Sequence, residues 1–356
     1  MAGLFNTILK DNESLFMNEL ALDYGFIPKV IPFRENQQQY IASCIKPLFN
    51  SHSGKNLLIT GSPGIGKTLA ARYVLKQLED ETGEIIPLYI NCWKKNTNYK
   101  ALVEICNLLN IKFILSLTTD QLAKRVSQAL SRKPVVLCLD EIDKLENQDL
   151  LYTLTEDIQK KTILLITNEV NWLSKLDPRV SSRLSPEMLA FKPYSQKEVY
   201  EILKQRIEYA FYPKVFDIAN LDKIAELSFH SKDIRAGIYL LKESGLIAEE
   251  QSSRIITQEH INQAVSKFQE FQIRNKQDLP DPTQDLLEFI KTNQNKASQE
   301  LYNLYSPKTS YKTFHRRLQE MEKAGLIKLE LKQDGPGKAT IVKLSINPEN
   351  KTLDSY

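Results

Sequence analysis

The sequence predicts an α/β core on a parallel sheet over residues 1–194, an α-helical segment over 195–277 and a small α+β unit over 283–350. Three observations carry this. Short continuous apolar runs alternate with helical patterns in the first half, as buried parallel strands and their crossover helices do. After Ser195 the apolar residues recur at three- and four-residue spacing, through Val199, Ile202, Leu203 and Ile207. Near the C-terminus two runs of alternating polarity flank the turn Gln333-Asp-Gly-Pro-Gly337, the pattern of a hairpin.

Composition bounds the rest. A chain of 356 residues exceeds one ordinary domain, and 42% apolar with 26% charged residues excludes a disordered or fibrous protein. No run reaches the roughly 18 apolar residues of a membrane span. The start Met1-Ala2-Gly3-Leu4-Phe5 lacks a basic, then apolar, leader, so a cytoplasmic chain without membrane contact is expected. Cys44, Cys92, Cys106 and Cys138 stand singly, which fits a reducing compartment better than a disulfide frame or a zinc site. A net charge of +3 requires any basic surface to be local. There are only 12 glycines, and none between Glu84 and Ala236.

Three of the twelve fall in Gly61-Ser62-Pro63-Gly64-Ile65-Gly66-Lys67-Thr68, between the apolar strand Lys55–Thr60 and an amphipathic helix from Leu69. Strand, GxxxxGK[ST] loop and helix, in that order, form a P-loop. Its glycines let the backbone approach phosphate, and its N–H groups with the helix start make an anion nest. Lys67 is expected at the β- and γ-phosphates of ATP or ADP, and the Thr68 hydroxyl at Mg²⁺.

A second buried strand, Pro134–Leu139, runs into Asp140 and Glu141. The C-terminal ends of such strands are where open α/β sheets bind ligands. Asp140 is expected in the Mg²⁺ shell, and Glu141 as the base that polarises the attacking water. A third strand, Lys161–Thr167, ends at Asn168, whose amide can orient the water or touch the γ-phosphate. Arg179 and Arg183 share the loop Leu176–Leu184, and one of them is expected as an arginine finger toward a neighbouring subunit's nucleotide.

These motifs, in this order, resemble the AAA+ ATPases. Further stretches narrow the resemblance to the archaeal replication initiators of the origin-recognition and cell-division-control type. They are Phe26-Ile-Pro-Lys-Val-Ile-Pro-Phe-Arg34-Glu35, Asn91-Cys92 with Thr97-Asn-Tyr99, the run Asp177–Leu184, Phe191-Lys-Pro-Tyr194 and Ile202-Leu-Lys-Gln-Arg206. The resemblance implies an AAA+ core, a helical lid and a C-terminal winged helix. It makes Lys67 and Thr68 the Walker A pair, Asp140 and Glu141 Walker B, Asn168 sensor 1 and Arg235 sensor 2. Val30, Tyr194, Arg206 and Leu69 are then expected around the nucleotide. The family's glycine before sensor 2 is Lys232 here, so the turn leading into that helix is expected to differ. The family also carries a DNA-touching helical insertion where this chain has Leu109–Thr119, apolar with Lys112 as its only charge; that contact is not expected here.

In the lid, Thr257 is expected to cap a helix whose His260 is a surface side chain, and Gly237 has no evident reason. The polar, proline-containing Asp278–Pro282 reads as a boundary. Beyond it, Leu286–Ile290, Ser298–Tyr305 and Ser310–Lys323 read as three helices before the hairpin, the order of a winged helix. In the third helix Tyr311, Phe314, Leu318 and Met321 form an apolar stripe. Lys312, His315, Arg316 and Arg317 are the candidates for the DNA major groove, with Lys332 and Lys338 on the wing. The resulting expectation is an ATP-dependent DNA replication initiator, cytoplasmic and nucleoid-associated. It would bind double-stranded origin DNA, work with a replicative helicase and paralogous initiators, and be reset by slow hydrolysis. A P-loop and winged-helix transcriptional or signalling regulator is the main alternative, and a clamp-loader-like subunit a third.

Overall fold

The computed structural model describes residues 14–277, 286–287, 289–290, 293, 296–305, 310–323, 327–334 and 337–344, without the side chains at 270–277, 323, 331–334 and 337–339. The chain forms two compact units, Met1–Val265 and Ser266–Tyr356. Among the described residues no helix is long and apolar enough to cross a membrane.

The first unit is built on five parallel strands: β1 (Leu57–Thr60), β2 (Ile86–Asn91), β3 (Val135–Asp140), β4 (Lys161–Thr167) and β5 (Glu187–Ala190), in the order β2-β3-β4-β1-β5. β1 and β3 are buried along their whole length and β4 along all but Lys161, as apolar runs covered on both faces must be. The edge strands β2 and β5 are half-exposed. Register sets Thr60 beside Thr167 and Asn91 beside Asp140, so the residues following β1, β3 and β4 emerge together at one end of the sheet.

Helices α1 (Glu35–Ile45), α2 (Lys67–Glu81), α3 (Asn98–Leu108), α4 (Thr119–Leu130), α5 (Asp149–Asp157) and α6 (Pro178–Leu184) belong to the sheet-bearing part. Between α3 and α4 there is a loop in place of an inserted helix. Arg125 Nη1 donates to the carbonyls of Lys112 and Phe113, and Phe113 and Leu115 stand 89% and 92% exposed.

The chain continues into α7 (Gln196–Ala210), opened by a capping box between Ser195 and Glu198, then α8 (Leu221–His230), α9 (Ile234–Glu250) and α10 (Gln258–Gln277). Gly237 acquires its reason here. A Cβ on it would fall 2.7 Å from Leu203 Cδ1 and 3.0 Å from Ser228 Cβ, so α9 can approach α7 and α8 only because the side chain is missing. Lys232 takes φ +53°, a left-handed conformation that glycine suits, at a cost of roughly 1 kcal/mol. One expectation is corrected. His260 is buried, and its Nδ1 accepts the Thr257 N–H at 3.1 Å; the first turn of α10 needs an acceptor there and the imidazole supplies it.

In the second unit, residues 286–290 (helical where described), α11 (Ser298–Leu304) and α12 (Tyr311–Lys323) precede the antiparallel hairpin β6 (Ile327–Asp334) and β7 (Gly337–Leu344), giving a winged-helix order. Leu286, Ile290, Leu301, Phe314, Leu318 and Met321 are fully buried in its core. Tyr311 departs from the expected stripe: it is partly exposed, with its ring 5.1 Å from that of Tyr302. Asp278–Pro282 lies outside the described residues.

Candidate functional site

The loop after β1 turns through positive φ at Gly61 (+146°), Gly64 (+70°) and Gly66 (+89°) and ends at the first residue of α2. At Gly64 the requirement is double, because a Cβ would also fall 2.0 Å from Asp233 Oδ1, at the start of α9. Ile234 N–H donates to the Gly64 carbonyl at 3.3 Å, so the helical segment rests directly on the loop. Lys67 Nζ turns back into the loop. It donates to the carbonyls of Gly61 (2.8 Å) and Ser62 (2.7 Å) and to Asn168 Oδ1 (2.8 Å). Burial pushes its ammonium down from 10.5 to about 8, against the pull of Asp140, and Arg235 pushes it the same way.

Opposite stands Asp140. Its Oδ2 accepts the hydroxyls of Thr68 (2.8 Å) and Tyr89 (2.7 Å), and its Oδ1 accepts the Glu141 N–H (2.9 Å). Glu141 lies in the left-handed region, φ +53°, where strained residues of functional sites often sit. Burial raises its carboxyl above the usual range, and Asp140 and Asp143 beside it add to the shift. In Asp143 burial acts upward, but hydrogen bonds from Lys144 and Thr167 outweigh it and hold the group low. The Thr68 hydroxyl and the Asp140 carboxylate are hard oxygen donors already in contact, a set that suits Mg²⁺.

Lys67, Thr68, Asp140, Glu141 and Asn168 share one cavity of about 240 Å³ with Tyr24, Arg72, Arg206 and Arg235. Arg235 reaches it clasped by Asp233, Nη2 to Oδ2 at 2.6 Å and Nε to Oδ1 at 3.0 Å. Arg206 lines it, yet its Nη1 donates to the Ala21 carbonyl and Nη2 to that of Phe26; burial lowers the guanidinium to about 10. Val30 is not brought in, and its side chain is 55% exposed. Tyr194 lies behind the loop, where a Cβ on Gly66 would meet its hydroxyl at 2.6 Å. Sequence reasoning missed Tyr89, Arg72, Asp233 and Tyr24. Asp233 alone had a visible signal, as the polar residue before a helix start.

Two families match this chain: the AAA domain over residues 51–171 and the Cdc6 AAA+ ATPase-type lid domain over residues 200–266. The chain is 32% identical over 280 residues to the ORC1-type DNA replication protein 1 of Sulfurisphaera tokodaii, covering 74% of this chain and 70% of that one. The chain belongs to the ORC1-type DNA replication protein family. Another member, the ORC1-type DNA replication protein 2 of Archaeoglobus fulgidus, is 29% identical over 350 residues, 95% of this chain and 93% of its own. The solved structure of the Aeropyrum pernix Orc1 protein in complex with DNA matches with a TM-score of 0.75 at 27% identity, covering 94% of this chain and 95% of that one. Cdc6p from Pyrobaculum aerophilum shares the fold, with a TM-score of 0.65 at 19% identity and coverage of 94% and 96%.

Within this ORC1-type chain the two finger candidates differ in surroundings. Arg183 is ion-paired to Glu156, with its guanidinium 4.9 Å from the Tyr152 ring centre. Arg179 is exposed and, among the described residues, its guanidinium makes no ion pair; it borders a cleft lined by residues of α5, α6 and the turn after β3. On α12, Lys312 and Arg316 are exposed, with Arg316 Nε 3.6 Å from Glu320, while His315 and Arg317 are half-buried. Lys332 and Lys338 lie on β6 and β7, one step apart in register, and their side chains are outside the described residues.

Proposed function

We propose that the chain initiates DNA replication under the control of ATP, binding origin duplex DNA and helping to recruit a replicative helicase alongside paralogous initiators. The observation that carries this is the convergence of Lys67, Thr68, Asp140, Glu141, Asn168 and Arg235 on one cavity in a chain of the ORC1-type family. In this reading residues 1–194 hold the nucleotide, 195–277 form the lid and 283–350 meet the DNA. Lys67 exchanges the Gly61 and Ser62 carbonyls for phosphate oxygens, and Arg235 leaves Asp233 for the γ-phosphate. Thr68 and Asp140 hold Mg²⁺, which neutralises phosphate charge when bound. Water attacks the γ-phosphorus and its proton passes to Glu141, a better base for its raised affinity; the β–γ bridging bond breaks and its electron pair leaves with ADP.

Hydrolysis serves here as a slow reset. Asn168 and Arg235 read the γ-phosphate, and loss of that group returns each to the partner it has now, Lys67 and Asp233. Arg179 or Arg183 completes the site of a neighbouring subunit. Lys312, His315, Arg316 and Arg317 enter the major groove, with Lys332 and Lys338 on the wing. The test compares ATP binding, ATP turnover and duplex binding in wild type, Lys67→Ala and Glu141→Gln. Glu141→Gln is expected to bind ATP and not turn it over, and Lys67→Ala to bind none. Rapid turnover stimulated by DNA in the wild type would indicate a motor instead.

A further inference from the structure

Arg34 is a buried cation that the chemistry above does not use. It is 4% exposed and, among the described residues, makes no ion pair. Its close hydrogen bonds run to backbone carbonyls, and it also acts on the Tyr194 hydroxyl. Nε and Nη2 both donate to Ile65 O, at 3.1 and 3.0 Å, Nη2 also donates to Lys192 O at 2.7 Å, and Nη1 to Phe33 O at 3.3 Å. The guanidinium carbon lies over two rings, 3.9 Å from the Tyr194 centre and 5.2 Å from that of Phe191.

Its partners lie on two different parts of the machine. Ile65 belongs to the phosphate loop. Lys192 belongs to the five-residue link from β5 to α7, which begins where Phe191 N–H donates to Thr60 O and ends at the Ser195 cap. A single nitrogen, Nη2, therefore holds the loop and the link at once, and a Cβ on Gly66 would come within 3.9 Å of Nε. The chain strains to aim this side chain inward. Phe33, directly before it, sits at φ +64°, and its N–H is held by Glu35 Oε1 at 3.2 Å. Burying a cation with no anion is costly, and one immediately behind a phosphate loop gains its counter-charge when a nucleoside polyphosphate binds in front.

We propose that Arg34 is the positioning residue that ties the phosphate loop to the start of the lid, so that closure of the loop on a nucleotide is transmitted to α7 through residues 191–195. This rests on the nucleotide reading of the P-loop given above. Lysine keeps the charge but not the planar fork that spans two carbonyls, so it separates attraction for phosphate from transmission. The test measures ATP affinity and, by hydrogen exchange, the protection of α7 with and without ATP, on the full chain carrying Arg34→Lys or Arg34→Gln. In the wild type ATP slows exchange across α7. Arg34→Lys is expected to bind ATP within about threefold of wild type and Arg34→Gln about tenfold more weakly, and in both the α7 response is lost.

An Arg34→Lys chain with the wild-type α7 response overturns the proposal, as does a wild-type chain that binds ATP with no response in α7. A wild-type chain that binds no ATP overturns the nucleotide reading, and the proposal with it. Should the Arg34 variants melt before they can be measured, Phe191→Leu removes one of the two rings that fix the fork. It is expected to weaken the α7 response while sparing ATP affinity, and an unchanged response overturns the proposal.

Discussion

Lys67 carries the clearest consequence at the scale of single residues. Its ammonium is buried against carbonyls and titrates near 8, well below its ordinary 10.5. Burial of the charge costs stability in full below pH 8, and the cost is relieved as pH rises from 8 to 10.5, where the unfolded chain still holds the proton. Triphosphate bound at Lys67 favours the charged form, so binding at pH 9 takes up a proton that binding at pH 7 does not. Calorimetry in two buffers of different ionisation enthalpy is expected to show uptake of close to one proton at pH 9 and almost none at pH 7. Lys67, Thr68 and Asp140 were legible because spacing along the chain defines them. Tyr89 and Arg34 were not, because each matters only through a neighbour: Asp140 across the β2–β3 register, and Lys192 far along the chain.

Among the elements, the buried strands declared themselves as unbroken apolar runs, whereas β2 and β5, exposed along one side, left weaker traces. The lid helices were legible by periodicity, but Gly237 was opaque because its reason is two other helices. Gly237→Val is expected to lower the stability of the first unit by about 2–3 kcal/mol, since Leu203 can swing away but the Ser228 Cβ cannot. Gly237→Ala, whose Cβ alone meets Leu203 and Ser228, is expected to cost less, about 1 kcal/mol, because helix propensity offsets part of the clash. Thermal unfolding distinguishes the two. On α12, Arg316 is exposed, with its Nε 3.6 Å from Glu320. Arg316→Ala should weaken duplex binding alike across sequences and reduce the salt slope by about one, measured by anisotropy across a salt series.

For the whole molecule, the order of parts could be read from the sequence because each part has its own period. The couplings between parts could not, since they run through the Gly64 carbonyl, the Asp233 carboxylate and the Arg34 fork rather than through any run of residues. Under the proposed control by ATP, the Asp233–Arg235 clasp and the Ile234 contact to the loop would be two ways for the lid to sense what the loop holds. A ligand shifts such a device only by binding its states unequally. In the proposed function, nucleotide state governs engagement of DNA. This is tested by the duplex affinity of the full chain without nucleotide, with ADP and with ATP, in wild type and in Lys67→Ala. Wild-type affinities with ATP and ADP are expected to differ by about fivefold or more, and the difference to vanish in Lys67→Ala. Equal affinities in a chain shown to bind both nucleotides would rule out control of DNA engagement by nucleotide.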